Sequence, residues 1–60
     1  MIIPGEVWTD PNLGQVVVIS RVVARPGEIW IHYRTLEGRE FSCWETTFLA
    51  RFTPTAHDPA

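Results

Sequence analysis

Short runs of alternating apolar and polar residues, separated by Pro and Gly, make up most of this 60-residue chain. The Pro and Gly positions recur about every 10 to 12 residues, which is the spacing of turns between short strands. Residues 15–23 are dominated by β-branched side chains, which pack well on a pleated surface and lose rotamer freedom in a helix. The pattern predicts an all-β domain with almost no helix before residue 45.

Two hairpins are predicted in the middle of the chain. Pro26 and Gly27 suit the central positions of a type II turn, because Pro presets a negative φ and Gly accepts a positive one. Glu37 and Gly38 can close a second hairpin with a two-residue loop, although residues 36–39 could form a slightly longer one. A meander of three strands follows from these two turns.

The two-residue loop sets the predicted register of the second hairpin. Tyr33 then opposes Ser42 and Ile31 opposes Trp44, and this more apolar row is expected to face the core. A one-residue change of register would exchange the two rows. The row expected to face outward comprises Trp30, His32, Arg34, Phe41 and Cys43.

The last part of the chain changes its hydrophobic period. Phe48 and Phe52 lie four residues apart, which predicts a short helical or 3₁₀ turn before a final strand that ends at Pro54. Thr46 or Thr47 is expected to cap this turn. The predicted core comprises Val7, Val16, Val18, Ile31, Tyr33, Trp44, Phe48, Leu49 and Phe52.

Chain length and cysteine content limit how the fold can be stabilised. One domain is expected over residues 1–54, followed by a disordered polar tail at 55–60. Cys43 is the only cysteine, so an intramolecular disulfide is excluded. Packing within the domain or against a partner must therefore supply the stability. The chain has residues for this, since 45% are hydrophobic and three are tryptophan.

Charge and hydropathy argue against two classes of partner. The formal net charge of -2 provides no basic field, which disfavours non-specific binding to nucleic acid. No run approaches the roughly 20 apolar residues of a membrane span, and the N-terminal residues lack the pattern of a secretory signal. We therefore expect a cytoplasmic protein with Cys43 reduced.

Catalytic and metal-binding chemistry finds little support in the sequence. His32 opposes Cys43 in the expected register, but a flat strand pair offers neither an enclosed electropositive pocket nor an orienting partner for the imidazole. His32 and His57 are the only histidines, and with Cys43 they lack the close spacing of zinc ligands. The carboxylates mostly adjoin turns, and no phosphate-binding loop is present. We expect a protein that is not an enzyme and uses no metal or cofactor.

The segments PGEVWTDP, YRTL and WETTFLARF together resemble small SH3-like barrel domains of bacterial and phage origin. The pattern is similar to that of short proteins with G-E-[VI]-W, then Y-R-x-L, then W-E-x-x-F-L-x-x-F. The resemblance spans residues 4–54 and implies a five-stranded SH3-like barrel with a short 3₁₀ or helical turn before the last strand. It implies no catalytic residues. A closed or nearly closed barrel would also cover its own edges, which suits a small chain without cross-links.

Binding is the function that the outward row favours. Trp30, His32, Arg34, Phe41 and Arg21 include the residue types that dominate interface hot spots, and a large apolar patch on a monomer tends to be occupied. We predict a phage or prophage accessory protein that binds a host protein or a second copy of itself. The plain alternative is that Trp30 packs on a neighbouring strand as ordinary sheet cover.

Two other ligands are conceivable for the same aromatic side chains. Single-stranded RNA or DNA could stack on Trp30 and Phe41, although five arginines against seven acidic residues weaken that reading. A methylated lysine could enter a cage of Trp8, Trp30 and Tyr33. Strand alternation disfavours the cage, because it sends Trp30 and Tyr33 to opposite faces.

Overall fold

The computed structural model describes residues 2–55. In this part of the chain the elements are β1 (Val7–Asp10), β2 (Gly14–Arg25), β3 (Glu28–Thr35), β4 (Glu40–Trp44), α1 (Glu45–Arg51) and β5 (Thr53–Pro54). The prediction of a small, mainly β domain with a short helix before the last strand is confirmed.

All five strands belong to one antiparallel sheet in the order β4-β3-β2-β1-β5. The first four strands form a meander, and α1 carries the chain from β4 to the far side of β1, where β5 pairs with it. Among the described residues β4 and β5 are the sheet edges and do not pair with each other. The five antiparallel strands match the prediction, whereas closure into a barrel is not confirmed.

The two central turns differ in how well they were predicted. Arg25 pairs with Glu28 and Gly27 has a φ of 80°, so the predicted two-residue turn is confirmed. The next turn has a three-residue loop, because the Thr35 N–H donates to the Arg39 carbonyl at 2.8 Å. Gly38, with a φ of 93°, takes the left-handed position that such a loop requires.

This longer loop shifts β4 by one residue against β3. Tyr33 pairs with Phe41 and Trp30 pairs with Trp44. The predicted phase of β3 is correct, since Tyr33 is buried while the His32 side chain is 40% exposed. The predicted phase of β4 is wrong: Phe41 and Cys43 pack against the core, and Trp44 faces outward.

The core lies between the sheet and α1. It is dominated by aromatic rings, with Phe48 and Phe52 stacked at 4.2 Å and Tyr33 edge-on to both. Such aromatic contacts stabilise beyond their buried area, which compensates for the small size of the domain. The buried hydrophobic residues are Ile2, Trp8, Val16, Val18, Ile31, Tyr33, Phe48 and Phe52.

Three residues that were predicted in the core lie outside it. Val7 is exposed because Trp8 takes the inward position of β1, and Trp44 is exposed because of the β4 register. Leu49 is exposed on the solvent side of α1, next to the buried Phe48. Ile2 and Trp8 were missed by the core prediction.

The start of α1 differs from the sequence expectation. Trp44 is the N-cap residue and makes no side-chain capping hydrogen bond, so the predicted threonine cap is wrong. The helix begins directly after β4. The acidic Glu45 lies in its first turn, where a negative charge interacts favourably with the positive end of the helix dipole. Of the predicted tail at 55–60, Thr55 donates its N–H to the Val7 carbonyl at 3.1 Å, and the other residues lie outside the described part.

Candidate interaction surface

The side of the sheet turned away from α1, here called the outer face, is built by three rows of side chains that run across the strands. Each row consists of residues that lie directly opposite one another and therefore share a face. The first row is apolar and comprises Val22, Trp30 and Trp44. The second row comprises Ser20, His32 and Ser42. The third row comprises Val7, Val17, Arg34 and Glu40.

The apolar row forms a ridge at one end of the outer face. The rings of Trp30 and Trp44 stack with centroids 4.4 Å apart and planes at 29°. Their strand positions form a pair without mutual backbone hydrogen bonds, in which side chains approach most closely. Val22 is 53% exposed and Trp44 is 40% exposed, so the ridge is open to a partner.

Charged side chains lie at the other end of the outer face. The two oxygens of Glu40 contact different side chains, with Oε1 3.2 Å from His32 Nε2 and Oε2 3.3 Å from Arg34 Nη2. These groups are about half exposed, so the pairs contribute little to stability. They place a carboxylate and a guanidinium at the end of the outer face opposite the apolar ridge.

Two of the predicted binding residues lie on the opposite side of the sheet. Phe41 stacks on Tyr33 at 5.7 Å and packs against the core. Arg21 lies opposite Ile31, and its Nε donates to Glu45 Oε2 at 2.7 Å, which joins β2 to the start of α1. The outer face therefore contains Trp30, His32 and Arg34 from the predicted set, but neither Phe41 nor Arg21.

The predicted positions of these two residues are wrong for separate reasons. Phe41 lies on the core side because the β3–β4 loop has one residue more than expected. Arg21 lies on the core side because Ile19 is an extra residue between the pairs Val18–Tyr33 and Ser20–His32. This bulge reverses the phase of the rest of β2. The run 15–23 contains no glycine that would have marked this bulge.

Among the residues of the apolar row and of the charged contacts, the sequence prediction missed Val22, Glu40 and Trp44. Trp44 was placed in the core as a result of the two-residue loop, and Glu40 was among the carboxylates interpreted as solvated charges or turn formers. The signal that could have placed Trp44 and Glu40 is Leu36 before Glu37 and Gly38, since a type I turn followed by glycine is the common three-residue hairpin.

The geometry separates the cysteine from the histidine. Cys43 opposes Ile31 on the core side, whereas His32 lies on the outer face. Burial raises the pKa of the Cys43 thiol, with a smaller opposing effect of Arg51, so the reactive thiolate is disfavoured. Residues 2–55 contain no cluster of three His, Cys, Asp or Glu side chains that could bind a metal ion, and His57 lies outside this range.

One carboxylate on the core side has a structural role. Asp10 Oδ2 accepts the N–H groups of Asn12 and Leu13, each at 2.9 Å, and Oδ1 lies 3.5 Å from Arg51 Nε. The Leu13 N–H contributes most to lowering the pKa of Asp10, Asn12 and Arg51 lower it further, and burial opposes them. The ionised side chain thus closes the β1–β2 turn and anchors the end of α1.

Comparisons with known proteins assign neither a family nor a function. No family model matches the chain, and no curated protein or solved structure is significantly similar to it. In the described part of the chain, no helix has the length and hydrophobicity needed to cross a membrane. The surface itself is therefore the basis for a functional proposal.

Proposed function

We propose that this chain is a non-enzymatic protein-interaction module that binds a protein partner through its outer face. The observation that carries the proposal is the stacked Trp30–Trp44 pair, which lies beside Val22 on the side of the sheet that the core does not use. Tryptophan is strongly enriched among the residues that dominate binding energy. Covering an apolar ridge of this kind with a partner removes it from water, which contributes favourable free energy to binding.

The charged end of the outer face supports recognition of a specific partner. Arg34 is held by Glu40 and presents remaining N–H donors, while His32 offers a second polar edge. Protein interfaces combine an apolar centre with a polar rim that fixes orientation. The outer face has this composition, with the tryptophan pair as its apolar part and the contacts of Glu40 as part of a polar rim.

The strand arrangement supports an SH3-like domain as the scaffold. Five strands and a short helix before the last of them are features that the sequence resemblance implies, and β5 returns to pair with β1. A cytoplasmic location belongs to the same proposal. So does a phage or prophage origin with a host protein as the partner, which rests on the resemblance alone.

Single-stranded nucleic acid is the weaker candidate for this surface. Arg34 is engaged by Glu40, and Arg21 lies on the other side of the sheet, so few cations are left on the outer face to contact phosphates. Each tryptophan also has one ring face covered by the other, which halves the stacking surface for bases. These features favour a protein as the partner.

The proposal can be tested by affinity capture with matched variants. Trp44→Thr removes the exposed ring but keeps a residue that suits both a strand and a helix N-cap, so the fold should persist. Leu49→Ala removes a comparably exposed apolar side chain on α1 and serves as the control. We expect proteins captured by the wild type and by the control to be lost with Trp44→Thr.

Two results would contradict the proposed function. One is capture of the same proteins by Trp44→Thr and by the wild type. The other is binding of single-stranded RNA or DNA that weakens steeply between about 50 and 200 mM salt, which would assign the surface to nucleic acid.

A further inference from the structure

We propose that the edge strand β4 pairs antiparallel with β4 of a second copy of this chain, around a two-fold axis at Ser42. This contact uses the backbone edge of the sheet and not its outer face. It is therefore a different contact from that of the proposed function, although the outer-face side chains of Trp44 and Glu40 meet across the two-fold axis.

The two edges of the sheet are protected to different degrees. β5 has only two residues, Thr53 and Pro54, and proline has no N–H to offer to another strand. β4 has five residues without Pro or Gly, and its pairing with β3 has no bulge. Natural sheets usually shorten, bend or charge their edges to prevent pairing, and β4 carries one charge, Glu40.

The pairing pattern shows which backbone groups of β4 are available. Thr35 and Arg39 form a hydrogen-bonded pair, and such pairs alternate along an antiparallel ladder with pairs that make no mutual hydrogen bonds. Phe41 and Cys43 therefore bond to β3. The N–H and C=O groups of Glu40, Ser42 and Trp44 point away from β3, toward an edge that no other strand of residues 2–55 covers.

These groups are complementary to the same groups in a second copy. With Ser42 opposite Ser42 of the other copy, Glu40 meets Trp44 and Phe41 meets Cys43. The Ser42 pair forms two hydrogen bonds, and each Trp44 N–H reaches a Glu40 carbonyl of the other copy. The Trp44 carbonyl does not take part, because an N-cap carbonyl accepts the first hydrogen bond of its helix.

The side chains are compatible with this register. The small Ser42 lies on the axis, where a bulky residue would meet its own copy. Glu40 faces Trp44 and not another Glu40, so no like charges are opposed. On the core side, Phe41 and Cys43 are only partly buried, and the second copy would cover them and extend the core. These matches come from β4 itself, which favours a second copy over an unrelated peptide.

The expected dimer is weak. Contact through one strand edge buries less than the roughly 800 Å² per partner of a standard interface. Sedimentation equilibrium from about 10 μM to about 1 mM covers the range in which such an interface associates. We expect the mass to rise from one chain toward two over this range.

Ser42→Pro and Ser42→Thr form a matched pair of variants. Proline removes the outward N–H but no hydrogen bond to β3, and proline is tolerated on edge strands, so the domain should stay folded. The dimer should weaken roughly 30-fold, because both hydrogen bonds of the Ser42 pair are lost. Ser42→Thr keeps the N–H and a good strand residue, and should dimerise within about threefold of the wild type.

Amide hydrogen exchange of the wild type tests the same contact without a substitution. The Ser42 N–H should become protected as concentration rises, whereas the Phe41 and Cys43 amides should be protected throughout. A wild type that stays monomeric with an unprotected Ser42 amide overturns the proposal. So does a dimer that Ser42→Pro leaves intact and Trp44→Thr disrupts, since that result would place self-association on the outer face.

Discussion

The two faces of β3 alternate residue by residue, yet they have different roles. Tyr33 and Ile31 are enclosed by the core, where Tyr33 contacts the rings of both Phe48 and Phe52. Trp30 and His32, on the other face, are half-buried, and they contact Trp44 and Glu40 on the surface of the sheet. One face therefore holds a small domain together without a disulfide, and the other is free to carry function.

The largest expected effect comes from breaking the core face. Phe48 is buried and touches Trp8, Tyr33 and Phe52 through its ring. Phe48→Ala should cost about 3–5 kcal/mol, because it removes a buried ring and leaves a cavity. A domain of this size has a total stability of only roughly 3–9 kcal/mol, so the loss is a large fraction of it, and the urea midpoint followed by far-UV circular dichroism should fall sharply. Cooperative unfolding near the wild-type midpoint would show that α1 is not required for the core.

The outer face should respond much less to loss of an aromatic ring. Trp30→Ala removes one member of the stacked pair and part of the sheet cover, which should cost about 1–2 kcal/mol. Urea denaturation would measure this, and the circular dichroism signal of coupled indoles should disappear while the fold remains. A loss of unfolding free energy as large as that of Phe48→Ala would mean that Trp30 has a structural role. That result would contradict the proposal that the outer face binds a partner.

The phase of β3 could be predicted from the sequence, whereas the phase of β4 could not. In β3 the apolar alternation of Ile29, Ile31 and Tyr33 allows one inward row. In β4 the residues Phe41, Cys43 and Trp44 give plausible cores in either phase. The length of the loop then sets the phase of β4, because one additional loop residue turns every β4 side chain to the other face.

The bulge in β2 limited the site prediction in a different way. Up to Val18 the strand follows its predicted alternation, with Val16 and Val18 both buried. The extra residue Ile19 then places Arg21 on the core side, next to Glu45. Because residues 16–19 are all β-branched, no local preference identifies Ile19 as the bulge, and only the tertiary pairing does.

Acid titration compares one carboxylate from each face. The pKa of Asp10 in the folded chain is below its usual value of 3.8, so its ionised form stabilises the fold above that pH. This contribution is lost as the pH falls through the lowered pKa, because the protonated group no longer accepts its hydrogen bonds fully. Asp10→Asn should lower stability at pH 7 and flatten the decline between about pH 4 and pH 2.

Glu40→Gln is the matched control for Asp10→Asn, since Glu40 is half exposed on the outer face. Its stability curve should follow that of the wild type within about 0.5 kcal/mol. Urea midpoints measured at intervals from pH 7 to about pH 2 would separate the two variants. An unchanged acid decline in Asp10→Asn would mean that other groups control acid unfolding.

The smallest expected effect on stability comes from Leu49→Ala, at the residue next to Phe48. Leu49 follows Phe48 in α1 but points to the other side of the helix, where it is 53% exposed. Leu49→Ala removes little buried area and improves helix propensity slightly, so the unfolding free energy should change by less than about 0.5 kcal/mol. Urea denaturation at two protein concentrations would measure it. A larger loss that depends on concentration would show that Leu49 is covered by another copy of the chain, and α1 would then take part in self-association as well as β4.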